Sequence, residues 1–154
     1  MAYSSASNDL VTFFDDLVRC ETRLYNAVNE TLRLQHGMAA SQFEMLRYLA
    51  ARPGARVIEI AENFAAGVGA ISKGVDRLVD RGWARRHPNP SDGRSSLVSL
   101  TAEGERLVAD AEAAFRAQLA ALIPLPHDRL EAVMTALSDL RASLEESKAG
   151  IPVG

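Results

Sequence analysis

Six cations fall in one short stretch of this chain. Lys73, Arg77, Arg81, Arg85, Arg86 and Arg94 stand against Asp76, Asp80 and Asp92 between positions 68 and 95, a local net charge of +3. The flanks have the opposite sign, −2 over residues 1–67 and −4 over residues 96–154, giving −3 for the whole chain. A basic middle between acidic ends suits a protein of which only the middle meets a polyanion. The same charges would also serve as a solvated face, so charge alone does not decide. Catalytic chemistry has less to work with. His36, His87 and His127 lie far apart with no i, i+4 pair, and Cys20 has no second cysteine to join it, which is poor material for a metal site. The sequence has no phosphate-binding loop, no dinucleotide-binding glycine pattern, no nucleophile elbow and no paired-histidine metalloprotease motif. Neither an enzyme nor a cofactor is expected.

The 154 residues, 47% hydrophobic and 24% charged, fit one folded domain spanning residues 1–154. No apolar run approaches the ~20 residues of a membrane span, and residues 1–9 lack the charge and apolar core of a signal peptide. With a lone cysteine, these features point to a cytoplasmic protein with no membrane partner.

The elements that must position the basic stretch follow from periodicity. Leu10, Phe14, Leu17, Leu24, Val28 and Leu32 share one face of a long first helix, about residues 8–36, which Gly37 ends. Ser41 to Glu44 reads as a capping box opening a second helix, and Pro53-Gly54 stops it. A third helix over Val57 to Phe64 lacks a good N-cap, since Arg56 precedes it. After the turn signal Gly67-Val68-Gly69, Ile71, Val75, Leu78 and Val79 begin a fourth helix, with Lys73, Asp76, Arg77 and Asp80 opposite and Gly82 at its C′ position. Two short helices joined by a glycine-containing turn form a helix-turn-helix. Ala84 to His87 and Ser96 to Leu100 read as two strands joined by the turn-rich tip Pro88 to Gly93. Thr101 then caps a fifth helix to about Leu122. Leu130, Val133, Leu137, Leu140 and Leu144 give the sixth a coiled-coil-like seam. The fold class is therefore mainly α with a small β-hairpin. It is a winged helix-turn-helix over residues 41–100, flanked by dimerisation helices over 8–36 and 102–148. The long apolar-faced helices at the two ends have no second layer to bury against except a partner, which predicts an obligate homodimer.

The centre of the chain also resembles a known family. Arg81-Gly82-Trp83-Ala84-Arg85-Arg86-His87-Pro88, then Asp92-Gly93-Arg94, then Val98-Ser99-Leu100-Thr101-Ala102-Glu103-Gly104 is similar, in order and spacing, to the motif string of the MarR (multiple antibiotic resistance regulator) family. Ser72 to Leu78 resembles that family's recognition helix, and the likeness covers about residues 10–146, with its diagnostic part at 71–104. The resemblance implies a homodimeric transcription regulator. Its winged helices would reach the two halves of a palindromic operator, with repression relieved by a small molecule or an oxidant.

On this reading the fourth helix lies in the major groove. Ser72 and Lys73 are candidate phosphate or base contacts, and Arg77 can reach a phosphate or a guanine edge. Gly69 and Ala70 leave few side chains for hydrogen-bonded base readout, which shifts discrimination towards DNA shape. Gly74 has no evident reason within the helix. Arg94 resembles the family's wing arginine, which enters the minor groove. Asp92 would hold the wing by pairing with an arginine, and it also suits an Asx-turn. Strand alternation makes one of Arg85 and Arg86 a phosphate contact, and Arg86 is assigned that role. The same resemblance implies a small aromatic or phenolic effector near the junction of the dimer helices and the winged helix, where Tyr25, Phe43, Arg47 and Tyr48 are the candidate lining. Two other readings stay open: a winged helix used for protein interaction, and redox sensing through Cys20. Asp16 and Glu21 beside that thiol would disfavour its reactive thiolate, while Arg19 and Arg23 could oppose them.

Overall fold

The computed structural model describes residues 2–153. In chain order the elements are α1 (Ala2–His36), α2 (Ala40–Ala51), β1 (Ala55–Arg56), α3 (Val57–Phe64), α4 (Val68–Asp80), β2 (Ala84–Pro88), β3 (Ser96–Leu100), α5 (Ala102–Leu122) and α6 (His127–Glu146). The expected helices and the hairpin are all present, and the fold is mainly α with a small antiparallel sheet.

The sheet carries one strand more than the hairpin that the sequence suggested. Its order is β1-β3-β2, with Ala55 opposite Val98, and Arg86 opposite Val98 from the other side. A two-residue strand has too few positions to alternate, so periodicity could not show it. It is fixed by partners distant in sequence: the Gly54 amide donates both to the Val98 carbonyl at 3.0 Å and to Ser99 Oγ at 2.9 Å.

Two helices are capped differently from expectation. The second helix begins at Ala40, ahead of the proposed Ser41–Glu44 box. The Ala39 amide donates to Gln42 Oε1, and the Ala40 amide donates to Asn29 Oδ1 on α1, both at 2.9 Å. A tertiary acceptor from eleven residues upstream thus satisfies a donor that local sequence leaves orphaned. Arg56 is a poor cap by residue type, yet α3 is closed from within, because the Arg56 amide donates to Glu59 Oε2 at 2.8 Å. The first helix also begins earlier than residue 8, at Ala2.

The core sits inside the winged part and under the C-terminal half of α1. Leu32, Phe43, Leu46, Leu49, Ile60, Val75, Leu78 and Val98 are buried essentially completely. The apolar face of α1 divides in two: Val28 and Leu32 are buried, whereas Leu10 and Phe14 are 70% and 63% exposed. No residue of α6 is buried, and Val133, Met134, Leu137 and Leu144 lie open along it.

Candidate nucleic-acid interface

Helix α4 is positioned by three buried side chains on one face, Ile71, Val75 and Leu78, at 4- and 3-residue spacing. That anchoring turns Lys73, Asp76 and Arg77 outward, and all three are exposed. Gly67 is the N-cap, and Ala65 ends α3 in a left-handed conformation (φ 48°), so the turn between the two helices is tight. At its other end Gly82 (φ +75°) supplies the left-handed C′ residue that the sequence called for. The Trp83 amide returns to the Leu78 carbonyl at 3.0 Å, closing the helix.

Gly74 has its explanation in packing. A Cβ there would come within 2.9 Å of Met45 Cε, so the missing side chain lets α4 lie close on α2. Sequence periodicity on a single helix carries no information about which residue of another helix will approach it.

The wing is a hairpin whose tip is ordered by its own polar residues. Asp92 accepts from the Arg94 amide at 3.0 Å, Asn89 Oδ1 accepts from the Ser91 amide at 3.0 Å, and Asn89 Nδ2 donates to Ser95 Oγ at 3.0 Å. Asp92 therefore shapes the wing as an Asx-turn on the main chain of Arg94, not through an arginine side chain, which corrects the pairing that the resemblance implied. The physical cause is reach: a backbone amide two residues on is already at hydrogen-bond distance, and binding it fixes no long side chain. The Arg94 guanidinium remains exposed at the tip and, among the described residues, forms no ion pair. Lys73, Arg77 and Arg85 share that state.

Arg86 does not. Its Nη2 donates to the Ser72 carbonyl and Ser72 Oγ, each at 3.2 Å, and to Asp76 Oδ1 at 3.0 Å, while Nη1 donates to Ser96 Oγ at 3.1 Å. The guanidinium bridges both strands of the wing to the middle of α4. Arg85, one residue earlier, faces the other way and is exposed.

Two further contacts tie this unit to the flanking helices, and neither was visible in the sequence. Arg81 lies over the Trp83 ring, 4.1 Å from its centroid, and donates to the Gly37 carbonyl at the end of α1 at 3.2 Å. Thr101 caps α5 as expected, accepting from the Gly104 amide at 3.1 Å, and its hydroxyl donates to the Gly82 carbonyl at 2.6 Å.

The four residues grouped as an effector lining are not brought to one opening. Phe43 is buried against Phe115 (centroids 5.1 Å apart). Arg47 lies over both rings and pairs with Glu112 at 3.1 Å. Tyr48 faces α3, stacked obliquely on Phe64 beneath Arg52. Tyr25 is partly exposed on α1, where burial and then the Glu44 carboxylate raise its hydroxyl pKa against the lowering effect of a bond to Ser41. Tyr48 and Arg52 line a broad, open cleft of about 1420 Å³ that Leu137, Leu140 and Leu144 of α6 line as well. Cys20 is exposed. Among the described residues no cluster of histidine, cysteine and carboxylate side chains could hold a metal ion, and no helix is long and apolar enough to cross a membrane.

This architecture recurs in known proteins. The model of the MarR family matches residues 36–95, from the end of α1 through the wing tip. The multiple antibiotic resistance protein MarR of Escherichia coli is 36% identical over 67 residues, 44% of this chain and 46% of that protein, so the match spans about half of the relative's length. A MarR family regulator from Streptomyces coelicolor, solved in complex with DNA, superposes with a TM-score of 0.83 at 24% identity, over 96% of this chain and 93% of that one. A mutant MarR from Escherichia coli complexed with operator DNA gives a TM-score of 0.79, also at 24% identity, over 86% of this chain and 96% of that one. Motif string, helix order and three-dimensional shape agree: the centre of the chain is similar to MarR family proteins, and the whole chain shares their winged-helix fold.

Proposed function

We propose that the chain is a sequence-specific DNA-binding transcriptional regulator, a ligand-responsive repressor that acts as a homodimer on a palindromic operator in the bacterial cytoplasm. One observation carries the reading. Lys73 and Arg77 on α4 and Arg94 at the wing tip are exposed cations without ion-pair partners among the described residues, on a scaffold that similar proteins use in complexes with DNA. An unpaired cation gives up no salt bridge when it meets a phosphate, and it releases the counterions held there. Ser72 remains a candidate contact: its Oγ accepts from Arg86, which leaves its own O–H free to donate. Two half-sites require two copies, and the bare apolar faces of α1 and α6 support a second copy. The effector would be a largely apolar aromatic acid. The cleft beside Tyr48 and Arg52 suits it better than the buried Phe43, because it offers apolar walls and a cation at the rim.

Fluorescence anisotropy across a salt series, on a duplex that the protein itself selects from a random-sequence pool, tests the DNA reading. Lys73→Ala should weaken binding about equally on all sequences and flatten the log–log salt slope by about 1 for each phosphate no longer neutralised. Arg94→Ala should weaken binding most on A·T-rich flanks, where a narrow minor groove concentrates negative potential. Unchanged affinity in both variants, with circular dichroism showing an intact fold, refutes the reading.

A further inference from the structure

We infer that Arg86 is a positioning residue that locks the wing to the recognition helix at a fixed angle, and that it reaches no phosphate itself. Three of the five N–H donors of its guanidinium are engaged inside the protein. The two Nη2 hydrogens serve three acceptors, Ser72 O, Ser72 Oγ and Asp76 Oδ1, and Nη1 serves Ser96 Oγ across the hairpin. The Asp76 carboxylate at 3.0 Å also offsets its charge, so turning it towards DNA would break several bonds to make one. The planar fork of arginine matches this task, since a lysine ammonium could not span Ser96 and Asp76 together.

The geometry explains why such a lock matters. The hairpin is rooted at Ala84 and Leu100, and its functional cation, Arg94, sits beyond the far end of both strands. Ser96 lies at that far end and Arg86 midway along β2, and the Arg86 side chain ties both strands to the middle of α4. A recognition helix in one groove and a wing in the neighbouring groove must engage together. A wing already held at the right angle spares the ordering cost that a swinging hairpin would incur on binding.

This role has meaning only for a chain that binds DNA as proposed above, and the test keeps the two apart. Arg86→Ala, Ser96→Ala, Arg94→Ala and the double variants with Arg94→Ala are titrated with the selected duplex across a salt series. Ser96→Ala is included because it opens the wing end of the lock without removing a charge. The expected result is a loss of about tenfold for Arg86→Ala and of a few fold for Ser96→Ala, with the salt slope unchanged in both. Neither change should weaken binding further once Arg94 is alanine, because a wing without its cation gains nothing from being held. A merely structural defect would instead weaken binding equally with and without Arg94. Hydrogen exchange should quicken at 89–95 in Arg86→Ala while the α2 amides stay protected. A slope flattened by about 1 per half-site in Arg86→Ala, additive with Arg94→Ala, would make Arg86 a phosphate contact and overturn the proposal. So would unchanged affinity in both Arg86→Ala and Ser96→Ala. If the unmodified protein selects no duplex at all, the DNA-binding reading fails, and this role of Arg86 fails with it.

Discussion

Gly104 sits so close on Trp83 that a Cβ at that position would overlap the Trp83 carbonyl oxygen. The same carbonyl accepts from the Thr101 amide at 3.0 Å, and Thr101 Oγ1 accepts in turn from the Gly104 amide. Three consecutive requirements therefore meet in the Thr-x-x-Gly step: an N-cap for α5, a strand-end hydrogen bond, and room for the turn after α4. The short string joins the end of α4 to α5 by contact.

Gly104→Ala should be among the most damaging small substitutions in the chain. The obstructing atom belongs to the backbone and cannot rotate away, so α5 must shift off Trp83. The expected cost is about 2–3 kcal/mol, within the range for overpacking a tight contact. Urea unfolding followed by circular dichroism measures it, and a loss under about 0.5 kcal/mol would mean that α5 moves aside freely.

Gly74→Ala should behave differently, although a Cβ is obstructed there too. Its obstruction is the terminal methyl of Met45, a side chain with several rotatable bonds. Replacing a mid-helix glycine returns about 1 kcal/mol of helix propensity, which offsets the rearrangement of Met45. Stability should stay within about 1 kcal/mol of the unmodified protein. Gly74→Val, larger and β-branched, should cost about 1–3 kcal/mol. The same urea titrations separate the pair.

The contrast between these glycines shows what is legible in the sequence. Elements with strong local signals are readable: the apolar stripe Ile71-Val75-Leu78, the Gly82 stop and the Thr101 cap all stand where periodicity and capping place them. Exposed cations on the face opposite such a stripe, or at a turn-rich tip, are readable too, and Lys73, Arg77 and Arg94 are of this kind. Arg86 looks like one more of them, because alternation says which side of a strand a residue occupies, not what waits there. Ser72 and Asp76 wait there, on an element ten or more residues earlier. The strand β1, the Asn29 acceptor for α2 and the Arg81–Gly37 bond have the same origin: each is a contact between segments with no local trace in either.

Glu59 gives α3 its start, and that role should depend on pH. The Arg56 backbone amide, and then the Arg56 side chain, hold the Glu59 carboxyl below the usual carboxylate range. A depressed folded-state pKa adds stability that is present above the unfolded value of about 4.3 and is lost as pH falls through the folded value. Glu59→Ala should therefore cost some tenths of a kcal/mol up to about 1 at pH 7, the scale of a capping interaction at an exposed site. The difference from the unmodified protein should shrink as pH is lowered past about 4. A cost that stays constant from about pH 7 to about pH 3.5 would show that the carboxylate charge contributes nothing.

Association should depend on residues that the single chain leaves bare. Leu10, Val11, Phe13, Phe14 and Val18 are exposed on the N-terminal half of α1, and Val133, Met134, Leu137 and Leu144 on α6. Soluble monomers rarely present this much contiguous apolar surface, and burying it returns roughly 25 cal/mol per Å² removed from water. Sedimentation at micromolar concentration should give about twice the 16.7 kDa chain mass. A charge on each stripe tests whether these surfaces are responsible: Phe14→Asp with Leu137→Asp should give a chain of monomer mass. The winged part should survive that change, because neither residue belongs to its buried cluster, and circular dichroism should still report helical structure. The monomer should also lose most of its affinity for a two-half-site duplex while keeping weak binding to a single half-site. A doubly charged variant that still sediments as a dimer would move the interface elsewhere. An unmodified chain that sediments as a monomer would remove the two-copy arrangement on which a palindromic operator depends.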